Sequence, residues 1–418
     1  MTRWYEDGRL RYAVGFEDTF IPQTGRGQRA LDEYELTQHY RFWQEDLEHA
    51  KDSGASMVRW GIPWYRVQPE RDRWDWAWLD QVVDRFEELG LEVIVDLMHY
   101  GTPLWLEHEF ANPEYPEAVA TYAAAVAERY AGRLRNWTPL NEPMLNIIHC
   151  GEFGYWPPNL HGDDGFVRML RAIAKGIVLS QAAIAAVDPD ATFVHVEASF
   201  RFDGDVDAYA DRVEHLRHRA FLVEDLVTGA VDRDHPLAAY LAANGFDDAD
   251  FAWFQNNTAW PDVMGVNYYP NISTELFEEG VFHTGGPEDI RPRTNAWTTG
   301  LAEVLETYAQ RYERPAMLTE TCWTGTVQER IDWLDASVEC VIGLRERGMP
   351  IVGYTWWAVI DMIEWTYREG DGPVMDYLLP MGLWDLVEAE GGIIRRVRNA
   401  VADRFEQHAQ AVHNVVVS

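Results

Sequence analysis

Eight short, nearly continuous apolar runs, each followed by a loop and then by an amphipathic stretch, constrain the fold of this chain more than any other feature. The runs are Tyr12–Phe16, Ser56–Gly61, Glu92–Met98, Arg135–Leu140, Thr192–Glu197, Asp262–Asn267, Ala316–Thr319 and Ile351–Trp357. Several carry Val and Ile on successive rather than alternate positions, as parallel strands covered on both faces do. Between them, His39–Ser53, Trp76–Gly90, Pro116–Gly132, Gly165–Val187, Thr326–Gly348 and Gly391–Gln407 repeat apolar residues at helical spacings of three and four. Gly54, Gly90, Gly132 and Gly348 stand where these helices should stop. The stretch 201–260 reads as helical and irregular, without firm element boundaries. Strand and helix alternating eight times predicts the α/β class and a closed (β/α)8 TIM barrel. No Gly/Ser-rich or Pro-rich linker divides the chain, so residues 1–418 are expected to form one catalytic domain.

In such a barrel, the loops after the strands gather on one face and form the site. Three are long: Asn141–Asp164 after the fourth strand, Tyr268–Thr299 after the sixth and Ala358–Glu390 after the eighth. They are rich in aromatics, in a chain with 19 Trp and 19 Tyr. An indole or phenol face suits the apolar C–H face of a sugar ring. The formal charge of −34 excludes nucleic acid as an expected partner and disfavours anionic membranes. The three cysteines form no CxxC pair, which suits reduced thiols in a cytoplasmic protein. The first residues lack the apolar core of a secretory signal, and no window approaches 18 uninterrupted apolar residues, so no membrane span is expected. There is no HxH or HExxH spacing, so neither a metal nor a cofactor is expected. Homo-oligomerisation is left open.

Two carboxylates stand out by position. Glu142 follows the fourth strand in Asn136-Trp-Thr-Pro-Leu-Asn-Glu-Pro143, and Glu320 closes the seventh in Pro315-Ala-Met-Leu-Thr-Glu320. Taken singly, either would serve as a rim ion pair. Strands four and seven, however, lie nearly opposite each other in an eight-strand ring. Two carboxyls facing each other across its mouth suit glycoside cleavage: one protonates the leaving oxygen and the other attacks the anomeric carbon, at a separation of about 5–5.5 Å if configuration is retained.

Four ordered segments give the chain a resemblance to glycoside hydrolase family 1, from about Tyr40 to Leu386. Asn141-Glu142-Pro143 is similar to the family's acid/base motif and Thr319-Glu320 to its nucleophile motif. Gly265-Val-Asn267-Tyr268-Tyr269 resembles its Gly-Ile-Asn-Tyr-Tyr segment, and the run Gly353 to Trp365 resembles its Trp-Ser-Leu-Leu-Asp-Asn-Phe-Glu-Trp stretch. The resemblance implies a retaining β-glycosidase with Glu142 as acid/base and Glu320 as nucleophile, acting on a small-molecule or oligosaccharide glycoside. By the same resemblance Asn141 would bond the sugar 2-hydroxyl, Arg59 would keep Glu320 ionised and Tyr269 would orient it. His99 would contact a ring hydroxyl, Trp357 would form a platform, Glu364 and Trp365 would bind more distant hydroxyls, and Asn267 would join the substrate-binding set. Glu142 should have a raised pKa, from the Glu320 charge and partial desolvation.

The chain departs from the family where sugars would be told apart. Glu320 is followed by Thr321-Cys322-Trp323, the His-Trp pair becomes His99-Tyr100, and Met362 replaces an Asn. Glu17 stands near the family's Gln and would read hydroxyls in its stead, or form a buried ion pair. Glu197 is an additional rim carboxylate. Such a site would favour a polyhydroxy or amino-bearing sugar. The alternatives to hydrolysis are a catalytically silent sugar-binding barrel and a transglycosidase using the same pair.

Overall fold

The computed structural model describes residues 3–25, 27–278 and 292–412. Part of the long loop predicted after the sixth strand, 279–291, lies outside the described residues. The eight predicted strands are all present: β1 Arg11–Gly15, β2 Met57–Gly61, β3 Glu92–Asp96, β4 Asn136–Thr138, β5 Thr192–Ala198, β6 Val263–Asn267, β7 Ala316–Glu320 and β8 Ile351–Trp356. All pair in parallel, each with its neighbour in sequence, and β1 pairs with both β2 and β8, which closes the barrel. Ala13, Met57, Ile94, Val194, Val196, Val263, Met317 and Val352 fill its interior as one apolar cluster.

The major outer helices are α1 His39–Asp52, α2 Ala77–Leu89, α3 Tyr115–Arg129, α4 Gly162–Val187, α5 Trp297–Tyr312, α6 Val327–Glu346 and α7 Ala400–Val412. In α2 the buried residues Leu79, Val82, Val83 and Phe86 mark the stripe that faces the barrel. Gly90 ends the helix in the left-handed region, at φ 63°, as its place in the sequence predicts. By length and composition α4 could cross a membrane, but half of its most apolar window is buried within the fold. The stretch 201–260 resolves into a 3-10 turn and four α-helices behind a strand, Arg201–Gly204, that pairs in parallel with Thr274–Phe277.

One predicted helix is corrected. In place of a helix over Gly391–Gln407, Trp384–Ala389 and Ile393–Arg398 form an antiparallel hairpin, and α7 begins only at Ala400. Gly391 and Gly392, at φ 80° and 73°, turn the hairpin. The inward residues of its second strand are Ile394 and Arg396, and Arg396 is buried because its guanidinium meets Asp46 at 2.6 Å. The long loop after β8 therefore carries regular structure, including a second small pair, Met362–Ile363 with Leu378–Leu379.

Candidate active site

The C-terminal ends of the strands surround a cavity of about 430 Å3, within the size range of small-ligand sites. Glu142 and Glu320 both line it. A register shift between Leu318 and Glu320 on β7 sets Glu320 opposite Asn267 of β6. Bulges of this kind re-aim a side chain at a barrel rim. Thr319, at the shift, donates to Asn267 Oδ1 at 2.7 Å. Glu142 lies just beyond β4, where Asn141 bridges to Val196 of β5, and has a left-handed φ of 43° that starts the short helix Pro143–Ile147.

The two carboxyls have different partners. Glu320 Oε1 accepts from Arg59 Nη1 at 2.5 Å, and its Oε2 accepts from Tyr269 OH at 2.6 Å. Arg59 also holds Asp96 through Nε at 3.0 Å and Nη2 at 2.8 Å, and donates to Asn141 Oδ1 at 2.5 Å. Glu142 Oε1 accepts from Asn267 Nδ2 at 2.9 Å, and its Oε2 accepts from Tyr100 OH. Burial raises both carboxyls. The Arg59 cation opposes the rise at Glu320 and the Glu142 charge adds to it, leaving Glu320 at about 8. At Glu142 the largest opposing influences are the hydrogen bonds from Tyr100 and Asn267, followed by the His99 and Arg59 charges.

His99 Nδ1 lies 2.7 Å from Asp18 Oδ1 and 3.5 Å from Asp96 Oδ2. Burial favours its neutral form, whereas Asp18, Asp96 and Glu17 favour the charged one, and the hydrogen-bond geometry decides between them. Its Nε2 faces the Asn141 amide nitrogen at 2.9 Å. Asn141 Oδ1 is fixed by Arg59 and Asn267, both donors, so Nε2 must accept. An imidazolium would set two donors against each other there. The geometry therefore assigns the neutral ring, with its proton on Nδ1 toward the acids. Asp18, Asp96 and His99 bring ligand atoms within 4.8 Å of one another, as a metal site would, but the Arg59 guanidinium already supplies a cation to Asp96.

Among the other predicted site residues, His99, Tyr269, Asn267, Glu364, Trp365 and Glu17 line the cavity. Glu17 accepts from Trp357 Nε1 at 2.8 Å and Thr19 Oγ1 at 2.6 Å. Three others stand behind the wall. Arg59, Asn141 and Trp357 are each 0% exposed, and none borders the cavity. For Trp357 this corrects the expected open platform: its ring packs on Gly15, lies against Arg59 with Cζ 4.7 Å from the ring centre, and orients Glu17. Asn141 is committed to Arg59, Asn267, His99 and Tyr100, so a sugar hydroxyl would have to displace one of them. Glu197 is not a rim carboxylate either: it is buried and accepts from the Met144 and Ala198 amides. Two residues were not foreseen. Asp96 is the second anchor of Arg59, and Tyr100 bonds Glu142 directly; the only hint of the latter was a hydroxyl where the family carries an indole.

The sequence model of glycosyl hydrolase family 1 matches residues 3–370. The chain is 25% identical over 361 residues to β-glucosidase A of Thermotoga maritima, covering 78% of each protein. It is 23% identical over 412 residues to the aryl-phospho-β-D-glucosidase BglC of Bacillus subtilis, covering 87% of this chain and 85% of that protein. Among solved structures, the family 1 β-glucosidase from Thermotoga maritima superposes with a TM-score of 0.78 at 18% identity, over 99% of both chains. The same enzyme in complex with galacto-hydroximolactam gives 0.77 at 19%, again over 99% of both chains. At these identities the superpositions speak for the fold.

Proposed function

The chain belongs to glycosyl hydrolase family 1, and from that premise we propose that it cleaves an unphosphorylated β-glycoside with retention, Glu320 acting as nucleophile and Glu142 as acid/base. The observation that carries this is the unequal surroundings of two carboxyls facing one cavity. Glu320 has a direct cation and a phenol donor, whereas Glu142 has two neutral donors. A proton held between the two acids is cheapest on Glu142, where no cation is lost by neutralising the charge. Once it is there, the Glu142 charge no longer lifts Glu320, and the nucleophile ionises against Arg59.

Glu320 attacks the anomeric carbon while the Glu142 proton passes to the leaving oxygen. The resulting glycosyl ester is opened by a water molecule that gives its proton to Glu142. The relatives include enzymes named for phosphorylated and for plain glucosides, and the charge of the cavity separates the two. Glu17, Glu142, Glu320 and Glu364 line it, and among the described residues its single Arg or Lys is Arg293, paired with Glu275 at 2.7 Å. Burial holds His149, also in the lining, down to about 4 and hence neutral. Among the described residues a phosphate would meet acids without a cationic clamp. Glu17 and Glu364 support a polyhydroxy or amino-bearing sugar. The three free thiols support a reducing, cytoplasmic setting, and the continuous barrel supports one catalytic domain.

The test is a panel of aryl β-glycosides and their 6-phosphates, with product configuration followed by NMR, together with intact mass after incubation with a 2-deoxy-2-fluoro glycoside. Retention and a single adduct on Glu320, absent in Glu320→Gln, are expected. Inversion, or unchanged turnover by Glu320→Gln, would overturn the assignment.

A further inference from the structure

Of the two side chains that donate to Glu142, one has no counterpart in the family pattern. Tyr100 stands where the family's His-Trp pair has its indole, and its hydroxyl donates to Glu142 Oε2. The phenol is aimed from three directions. Its oxygen accepts from Asn141 Nδ2 at 2.8 Å, and that amide is itself fixed by Arg59 and Asn267. Its ring, 2% exposed, is wedged edge-on between Trp365 at 5.6 Å and His99 at 4.5 Å, with Trp156 at 4.9 Å. Its backbone is held at φ 77°, and the next residue, Gly101, sits so close to the Phe20 carbonyl that a Cβ would lie 1.3 Å from its oxygen. A bulky residue in the left-handed region costs free energy and persists only where its surroundings impose it. Glu142, at φ 43°, is in that region as well, so the fold holds both ends of this hydrogen bond in strained backbone.

We propose that Tyr100 is a positioning residue for the acid/base, fixing the Glu142 carboxyl and easing the release of its proton to the leaving group. The inference rests on the assignment of Glu142 above. An acid that must also return as a base cannot hold its proton too tightly, and a buried carboxyl without a donor would do so. The titratable groups around Glu142 are Glu320 on β7, Arg59 on β2, His99 after β3, Tyr269 after β6, and Glu197 on β5. None of these donates to it directly. Among the described residues its side chain takes hydrogen bonds only from Tyr100 and Asn267, and both favour its charged form.

The experiment is the pH dependence of kcat/KM for an aryl β-glycoside with a poor leaving group, in the wild-type chain and in Tyr100→Phe. Loss of the phenol should move the alkaline limb, where the acid loses its proton, upward by about 1–2 pH units. With an activated leaving group, which needs no proton, the alkaline limb should not track Glu142, and the variant should lose less rate than it does with the poor one. Tyr100→Trp, which also removes the hydroxyl, should move the limb in the same direction, and it serves if the Phe variant does not fold. A uniform fall in rate with the limb unmoved, in whichever variant folds, overturns the inference alone. A wild-type chain that neither turns over glycosides nor forms the fluoroglycoside adduct overturns the glycosidase reading and this inference with it.

Discussion

Arg59→Met is the substitution that probes the most of this site at once. It keeps the aliphatic stem and removes a guanidinium that is 0% exposed and touches Glu320 and Asp96 together. Removing one partner of a buried ion pair costs about 3–5 kcal/mol, because the other charge is stranded. With an unfolding entropy of about 2.1 cal/mol/K per residue over 418 residues, that corresponds to a melting temperature lower by about 3–6 °C. The loss should depend on pH, with a defined sign. Glu320 already has a folded-state pKa raised to about 8 from 4.5, by burial and against the pull of Arg59. Such a group contributes its full stability below its unfolded pKa and loses it as pH rises through the folded one. Without Arg59 the folded value climbs further. The part of the penalty carried by Glu320 should therefore open only as pH rises past the wild-type folded value and grow above it, and be absent at pH values where the carboxyl is protonated in both folded chains. Activity should fall for the same reason, since without Arg59 the proton shared by the two acids is no longer driven onto Glu142, and less of Glu320 is ionised at neutral pH. Melting curves for both chains at several pH values, read beside kcat/KM, check this. A penalty independent of pH, or a variant as active as the wild type at neutral pH, would refute the claim that Arg59 acts by holding charge on Glu320.

Gly15→Ala tests how firmly the wall behind the cavity is built. A Cβ there would lie 2.1 Å from Trp357 Cζ3, where ordinary contact begins at 3.4 Å, so the buried indole must retreat by more than an ångström. Overpacking of this kind costs about 1–3 kcal/mol, and the retreat pulls Nε1 from Glu17; a lower melting temperature with kcat/KM reduced about tenfold or more is expected, and unchanged values of both would show that Trp357 does not position Glu17. Glu17→Gln should leave the fold intact but weaken an amino-bearing glycoside about tenfold relative to its neutral counterpart, since an ion pair becomes a neutral contact; equal effects in a competition assay would place Glu17 away from the sugar.

The barrel was legible in the sequence because parallel strands covered on both faces leave an unambiguous trace: runs such as Glu92-Val-Ile-Val-Asp96 have no polar face to hide. The hairpin before α7 was not, and the reason is specific. Ile393, Ile394, Val397 and Val401 keep a helical spacing, while the period of two that marks the strand runs through Arg396, which a hydrophobic pattern counts as outward. Arg396 is inward only because Asp46, far away in sequence, neutralises it. The site divides along the same line. Glu142 and Glu320 could be placed because a strand end fixes where a side chain begins. Whether a residue reaches the cavity depends on the partners that claim it first. Asn141, Arg59 and Trp357 carry family motifs yet stand behind the wall, their polar atoms taken by one another and by Asp96, Glu17 and Tyr100. Tyr100 reaches Glu142 across 42 positions of sequence, through a backbone conformation that nothing in its own residue type favours. The position of the proposed catalytic pair is thus a local property of strand ends. Its proton balance is a property of side chains brought together by closure of the barrel, and it is there, in the exchange of an indole for the phenol of Tyr100, that this chain departs from its family.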